Sequence, residues 1–170
     1  MGRPKALMED DDGSSWLLRS VAALRGGGCS TVVVVLGAAA GDARPLLDGA
    51  DVEVVVADDW AEGMSASLRA GLRSLAPTAD SALVSLVDLP DVDARVVRRV
   101  IARAASPDDL ARATYGGRPG HPVLLGRDHW AGVVASATGD EGAKGYLATH
   151  PPLLVECGDL AGGEDVDQID

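Results

Sequence analysis

Phenylalanine is absent from these 170 residues, and the other aromatics amount to three Trp and two Tyr. A core must then be built from Val, Leu and Ala, a palette that suits a parallel sheet covered by helices. Cys29 and Cys157 are the two cysteines, and neither has a second Cys or a His at zinc-ligand spacing. A disulfide framework and a zinc finger are therefore set aside, and buried thiols are expected. No apolar run reaches the ~18 residues that cross a bilayer. Gly2, Arg3, Pro4 and Lys5 stand where a signal peptide needs an apolar stretch, so the expectation is a cytoplasmic protein with no membrane partner. Positive charge is scarce as well: 15 Lys and Arg against 26 Asp and Glu give a net charge of -11. With no basic stripe to offset it, this balance argues against a nucleic acid polymer as partner. A small anion such as a nucleotide stays open, provided local cations or a divalent metal neutralise it.

What is present is 46% hydrophobic residues in a chain of ordinary domain length, which predicts one domain over residues 1–170. The runs Val32 to Leu36, Val52 to Ala57 and Ala82 to Val87 read as strands. Between them lie helical periods. Ser14 or Ser15 caps one whose inner face is Leu17, Leu18, Val21 and Leu24, Ser65 to Leu75 forms a second, and Val92 to Ala105 a third. Alternation of this kind predicts an α/β fold: a doubly wound, mostly parallel (Rossmann-like) sheet with helices on both faces and ligands at the carboxyl ends of its strands. Further on, strands at Ala111 to Tyr115 and Pro122 to Leu125 flank a turn over Gly116 to Gly120. Helices at His129 to Ala137 and Glu141 to Thr149 precede a last strand at Leu153 to Cys157. The acidic tract Glu9 to Asp12 reads as a solvated loop.

Four segments could carry chemistry. Asp88 ends the third strand run, where a carboxylate points into the ligand crevice and can bridge a hard cation to a phosphate, or can simply open the turn before Pro90. Asp165 and Asp167 share one face of an extended segment, as a metal pair or a solvated tail. Lys5 offers a mobile point charge to a triphosphate, or is a terminal basic residue. Gly63, Met64, Ser65, Ala66 and Ser67 let backbone N–H groups approach an anion at a helix start, or serve as its ordinary cap.

Taken together these segments resemble the MobA-like NTP transferase family, and within it the molybdenum cofactor cytidylyltransferase-like branch. Met1, Gly2, Arg3, Pro4, Lys5, Ala6 and Leu7 match the end of the signature LAAGxGxRMGxPKALL. Gly63 to Leu72 is similar to G-M-S-x-S-L-x-x-G-L, and Asp88, Leu89, Pro90 to D-Q-P. Arg118 to Leu124 is similar to R-x-G-H-P-V-L, Gly139 to Lys144 to G-D-x-G-A-R, and Asp165, Val166, Asp167 to D-I-D. Six motifs in family order make the likeness specific.

The resemblance implies a nucleotide-diphospho-sugar transferase-like fold, with the family's first strand and glycine loop not among these residues. It implies catalytic roles for Lys5 and Asp88, and nucleotide binding by Arg3, Lys5, Gly63, Met64, Ser65, Ser67 and Asp88. Gly120, His121 and Pro122 would bind the acceptor, and Asp88 and Asp167 would hold Mg2+. The implied reaction moves a nucleotidyl group, CMP from CTP by the Pro4 before Lys5, onto a phosphorylated pterin-type acceptor, molybdopterin, with release of pyrophosphate. A molybdenum enzyme receiving the cofactor is an implied partner. A guanylyltransferase using GTP, a non-catalytic nucleotide- or cofactor-binding chaperone, and a glycosyltransferase reading of the Asp165, Asp167 pair remain alternatives. His129 and His150 match no motif and read as surface residues.

Overall fold

The β-branched run Val33–Leu36 forms β1, which pairs in parallel with β2, Glu53–Val56, in the register Val33 to Glu53 through Leu36 to Val56. The computed structural model describes residues 4–104 and 106–166. A second sheet has the order β3, β5, β4, β6, built from Ser81–Val84, Arg118–Gly126, Leu110–Tyr115 and Leu153–Glu156. In it β5 runs antiparallel to β3 and to β4, and β6 runs parallel to β4. Among the described residues six α-helices accompany the strands: α1 Trp16–Gly27, α2 Ala40–Ala43, α3 Met64–Ser74, α4 Ala94–Ile101, α5 Arg127–Ser136 and α6 Lys144–Thr149.

Among the described residues β1 and β3 each pair on one side only, so the sheet is interrupted between them. Helices span the interruption on both faces. On one face α3 sets Gly71 against Val35 of β1 while its Leu72 packs with Ala82 and Val84 of β3. On the other, α1 lies on α4 so closely that a Cβ on Gly27 would sit 2.1 Å from Val97 Cγ1. Apolar burial by helices thus replaces backbone pairing as the link between the two sheets.

Several expected boundaries shift for local reasons. Helix α1 is capped by Ser15, whose hydroxyl accepts from Leu18 N, and ended by Gly28 at a φ of 112°, a conformation open mainly to glycine. Its buried side is Trp16, Leu17 and Ala23, whereas Leu18, expected inside, is 41% exposed. The Trp16 indole N–H donates to Asp10 at 2.8 Å and Arg19 pairs with the same carboxylate, so Asp10 is a structural anchor rather than part of a solvated loop. Strand β3 stops at Val84, opposite Val123, because the next residue of β5 is Pro122, which has no N–H to continue the ladder. The turn before β5 shrinks to Gly116 and Gly117, at φ of 58° and 80°, and pairing resumes at once between Tyr115 and Arg118.

Candidate active site

Strand β3 runs out into Ser85–Val87 and delivers Asp88 to the end of the sheet where β5 begins, since Val84 faces Val123. There Asp88 Oδ2 accepts a hydrogen bond from Lys5 Nζ at 2.5 Å, across 83 positions of sequence. Lys5 belongs to a short 3₁₀ helix, Lys5–Leu7, whose Ala6 and Leu7 pack on the cluster around Val32, Val34 and Leu36. The site therefore straddles the interruption, with the amine carried by one side and the acid by the other. Asp88 is 8% exposed and Lys5 41%, so the carboxylate is the buried member of the pair and the amine the more accessible one.

The C-terminal segment closes over this pair. Val166 N donates to the Asp88 carbonyl at 3.0 Å, and Asp91 Oδ2 accepts from Gly162 N at 2.5 Å and Gly163 N at 3.2 Å. Gly163 and Gly120 lie against the Tyr115 ring, where added Cβ atoms would fall 2.1 Å and 2.8 Å from its carbons. The Tyr115 hydroxyl in turn donates to the His121 carbonyl at 2.6 Å. Glu156 locks the turn below by accepting from Gly116 N, Gly117 N, Gly158 N and the Thr114 hydroxyl, which holds its carboxyl at about 2.

His121 is largely buried in this frame. Burial, helped by the positive charge of Arg112, pulls its imidazole down to about 4, against the opposing pull of Asp88 and Asp165. The ring is thus neutral near pH 7 and close enough to both acids to sense their charge. Asp88 and Asp165 both act on the charge of His121, which places the three near one end of the sheet. Arg3 and Asp167 lie outside the described residues.

The Gly63 to Ser67 segment is fastened to a different loop. Gly63, at a φ of 105°, starts α3 so close to the α5–α6 loop that a Cβ would meet Asp140 Oδ1 at 2.5 Å and the Gly139 carbonyl oxygen at 2.7 Å. Ser65 N donates to the Gly139 carbonyl at 2.9 Å, and Met64 N to Asp140 Oδ1 at 3.1 Å. The Ser65 hydroxyl is fully buried and accepts from Gly142 N at 3.0 Å, which commits it to holding the two loops together. Met64 is exposed and Ser67 half-buried. Two of the six sequence motifs therefore support each other directly.

Sequence reasoning missed the framing residues Tyr115, Asp91 and Glu156; Asp140 stood in the Gly139 to Lys144 motif, with no role assigned to it. Tyr115 acts through one hydrogen bond, Asp91 through two and Glu156 through four, and no local pattern marks such partners. His129, read as a surface residue, is half-buried, with Nδ1 2.9 Å from the Tyr146 hydroxyl and Nε2 2.8 Å from the Asp108 carbonyl.

For a metal, the donors at the Asp88 end are carboxylate oxygens, and no group of three or more His, Cys, Asp or Glu among the described residues is arranged to hold an ion by itself. That donor set fits a hard divalent cation held by one or two acids and completed by phosphate oxygens and water. Both free thiols are raised by burial and stand apart from this chemistry. No helix among the described residues is long and apolar enough to cross a membrane.

Known proteins are similar to this chain in sequence and in fold. Nicotine blue oxidoreductase from Paenarthrobacter nicotinovorans is 33% identical over 126 residues, which cover 69% of this chain and 61% of that protein. The chain thus spans about three fifths of the length of that relative. The manganese complex of Rv0371c from Mycobacterium tuberculosis H37Rv superposes with a TM-score of 0.74 at 26% identity, over 92% of this chain and 82% of that one. A nucleotidyl transferase from Methanothermobacter thermautotroptrophicus gives a TM-score of 0.76 at 25% identity, over 90% and 74%. The architecture is accordingly that of the nucleotide-diphospho-sugar transferase fold. The MobA-like NTP transferase domain matches residues 1–153, nearly the whole chain, and the protein belongs to that nucleotidyltransferase family.

Proposed function

We propose that this protein moves a nucleotidyl group, CMP from CTP, onto the phosphate of a pterin-type acceptor of the molybdopterin kind. An acceptor phosphate oxygen attacks the α-phosphorus, the bond to the β-phosphate breaks, and pyrophosphate leaves. The observation that carries the reading is the Lys5–Asp88 pair at the strand end, a cation and an acid joined from the first and third of the six family motifs. In-line phosphoryl chemistry needs positioning and charge more than covalent help.

In this reading the Lys5 amine, the more accessible of the pair, leaves Asp88 for the incoming triphosphate and follows negative charge as it builds. Asp88 and Asp167 would hold a divalent cation, which would supply charge neutralisation to the phosphates. Mg2+ is the proposed ion; the manganese in the Rv0371c complex supports a divalent ion of this class. Arg3, Gly63, Met64 and Ser67 are proposed to contact the nucleotide, with Ser65 holding their loop from behind. Gly120, His121 and Pro122 are proposed to line the acceptor side, where a neutral imidazole can donate or accept.

Pyrophosphate release, measured with each NTP, molybdopterin and Mg2+ or Mn2+, tests this. CTP is expected to give the fastest turnover, and Asp88→Asn to lower kcat by roughly 10²–10³. No release with any NTP overturns the reading. A second reading is favoured by the relative named for nicotine blue: oxidation or reduction of a flat heteroaromatic compound. It predicts turnover of nicotine blue with a nicotinamide dinucleotide as electron donor, unaffected by omission of NTP and metal.

A further inference from the structure

On the α5–α6 side of β4 and β6 lies a cleft of about 240 Å³ whose walls include Arg112, Pro119, Lys144, Leu147, Pro152 and Leu154. At ~30 Å³ per water it has room for roughly eight waters, or one ring with a substituent. Its floor is apolar. Leu154 is 57% exposed, a large aliphatic side chain facing this opening on the unpaired edge strand β6.

Both polar walls are cations. Arg112 is half-buried, and burial lowers the affinity of its guanidinium for the proton. Its Nε donates to the Gly120 carbonyl at 2.9 Å, which fixes the plane of the guanidinium. Among the described residues neither Arg112 nor Lys144 has a carboxylate partner, in a chain whose acids outnumber its bases by 26 to 15. Arg19, Arg69, Arg99 and Arg118 find one, and the other arginines that do not among the described residues, Arg44, Arg73, Arg98 and Arg103, are exposed, whereas Arg112 is half-buried. A partly desolvated cation left unpaired beside a second cation costs free energy that a bound anion would return.

We propose that this cleft binds a flat organic phosphate monoester, its ring on Leu154, Leu147 and the two prolines and its phosphate between Arg112 and Lys144. Phosphate suits the geometry better than carboxylate does. With Nε committed to Gly120, the Nη groups of Arg112 and the Lys144 ammonium remain as donors, and a phosphate dianion, with three terminal oxygens and up to two negative charges, can pair with both cations at once where a carboxylate brings one charge and two oxygens. Because Gly120 precedes His121, occupation of the cleft bears on the turn that frames the candidate active site. The proposal concerns binding alone and stands whether or not the nucleotidyl-transfer reading holds.

Calorimetry on the full chain with phenyl phosphate, inorganic phosphate and phenol tests it, without NTP or metal. Phenyl phosphate is expected to bind one to one, at least about tenfold more tightly than either fragment, a gain of about 1.4 kcal/mol. Lys144→Gln, an exposed substitution with no hydrogen-bonded role for its side chain among the described residues, should weaken it about fivefold or more, and Arg112→Lys at least as much. Leu154→Glu should abolish binding. Should Arg112→Lys fail to fold, the Lys144 and Leu154 variants decide alone. Equal affinity for phenyl phosphate and inorganic phosphate, or affinity untouched by Lys144→Gln and Leu154→Glu, overturns the proposal. So does sedimentation showing a dimer that dissociates on Leu154→Glu, since a second copy would then fill the cleft.

Discussion

The two sheets differ in how they are held. In the β1–β2 pair each strand is four residues long, and β2 has no buried residue along its length. In the four-stranded sheet, β5 runs nine residues, pairs on both sides and buries Pro122 through Gly126 without a break. The first sheet depends on helices above and below it, the second on its own ladder as well. The candidate active site uses both: Asp88, His121 and the Tyr115 frame come from the well-paired sheet, while Lys5 is carried by the cluster over β1. A buried acid and a more accessible amine are what such an unequal pair of supports provides.

The sharpest way to break this comparison is to remove the same side chain from each sheet. Leu124 of β5 and Leu36 of β1 are both buried, at 1% and 3% exposure. Leu124 is enclosed by a ladder that cannot close up, so Leu124→Ala is expected to cost about 4 kcal/mol. Around Leu36 the interrupted sheet can collapse into the space, and Leu36→Ala should cost about 2 kcal/mol. Urea unfolding of both variants measures the difference, and equal losses would mean that the two supports are equally rigid.

A smaller effect, confined to the well-paired sheet, comes from pH. His121 in the folded chain takes a proton only near pH 4, whereas in the unfolded chain it does so near ~6.5. The unfolded state therefore binds more protons between these values. Stability is full above pH ~6.5 and falls as pH drops toward 4, by about 2–3 kcal/mol in all. Arg112 reinforces the shift and Asp88 and Asp165 oppose it. Glu156, depressed to about 2, adds its own loss only at lower pH, as the solution becomes acid enough to protonate it. His121→Gln should flatten the curve between pH 6.5 and 4 while leaving the acid limb from Glu156 in place.

The sequence made the alternation of strands and helices legible because β-branched runs and helical apolar periods are local signals. Val33–Leu36, the Ser15 cap and the Gly28 stop are all of this kind. Asp88 was legible for a related reason, since a strand end followed by proline can be read without knowing what it faces. Its meeting with Lys5 was reached only through the motif likeness. Tyr115 and Asp91 are not legible because they matter through partners 6 and 71 positions away, and Asp140, though part of a motif, gives no sign of its bond to Met64 N. Ser65 was read as a nucleotide contact because a small hydroxyl at a helix start serves an anion or a neighbouring loop equally well, and only coordinates reveal the Gly142 N–H beside it.

That ambiguity gives the smallest and most discriminating comparison, between Ser65 and Ser67 on the two sides of one loop. Ser65→Ala leaves the buried Gly142 N–H without its acceptor, an expected loss of about 1–2 kcal/mol. Because the hydroxyl also ties Gly63 to Ser67 against the α5–α6 loop, KM for the NTP should rise as the loop loosens. The Ser67 hydroxyl has no partner among the described residues and is half-buried, so Ser67→Ala should change stability by no more than ~0.5 kcal/mol. If it contacts the nucleotide, its loss raises KM at unchanged stability. Thermal unfolding and steady-state kinetics on the two variants separate support from contact, and a Ser67→Ala variant with normal KM removes Ser67 from the nucleotide site.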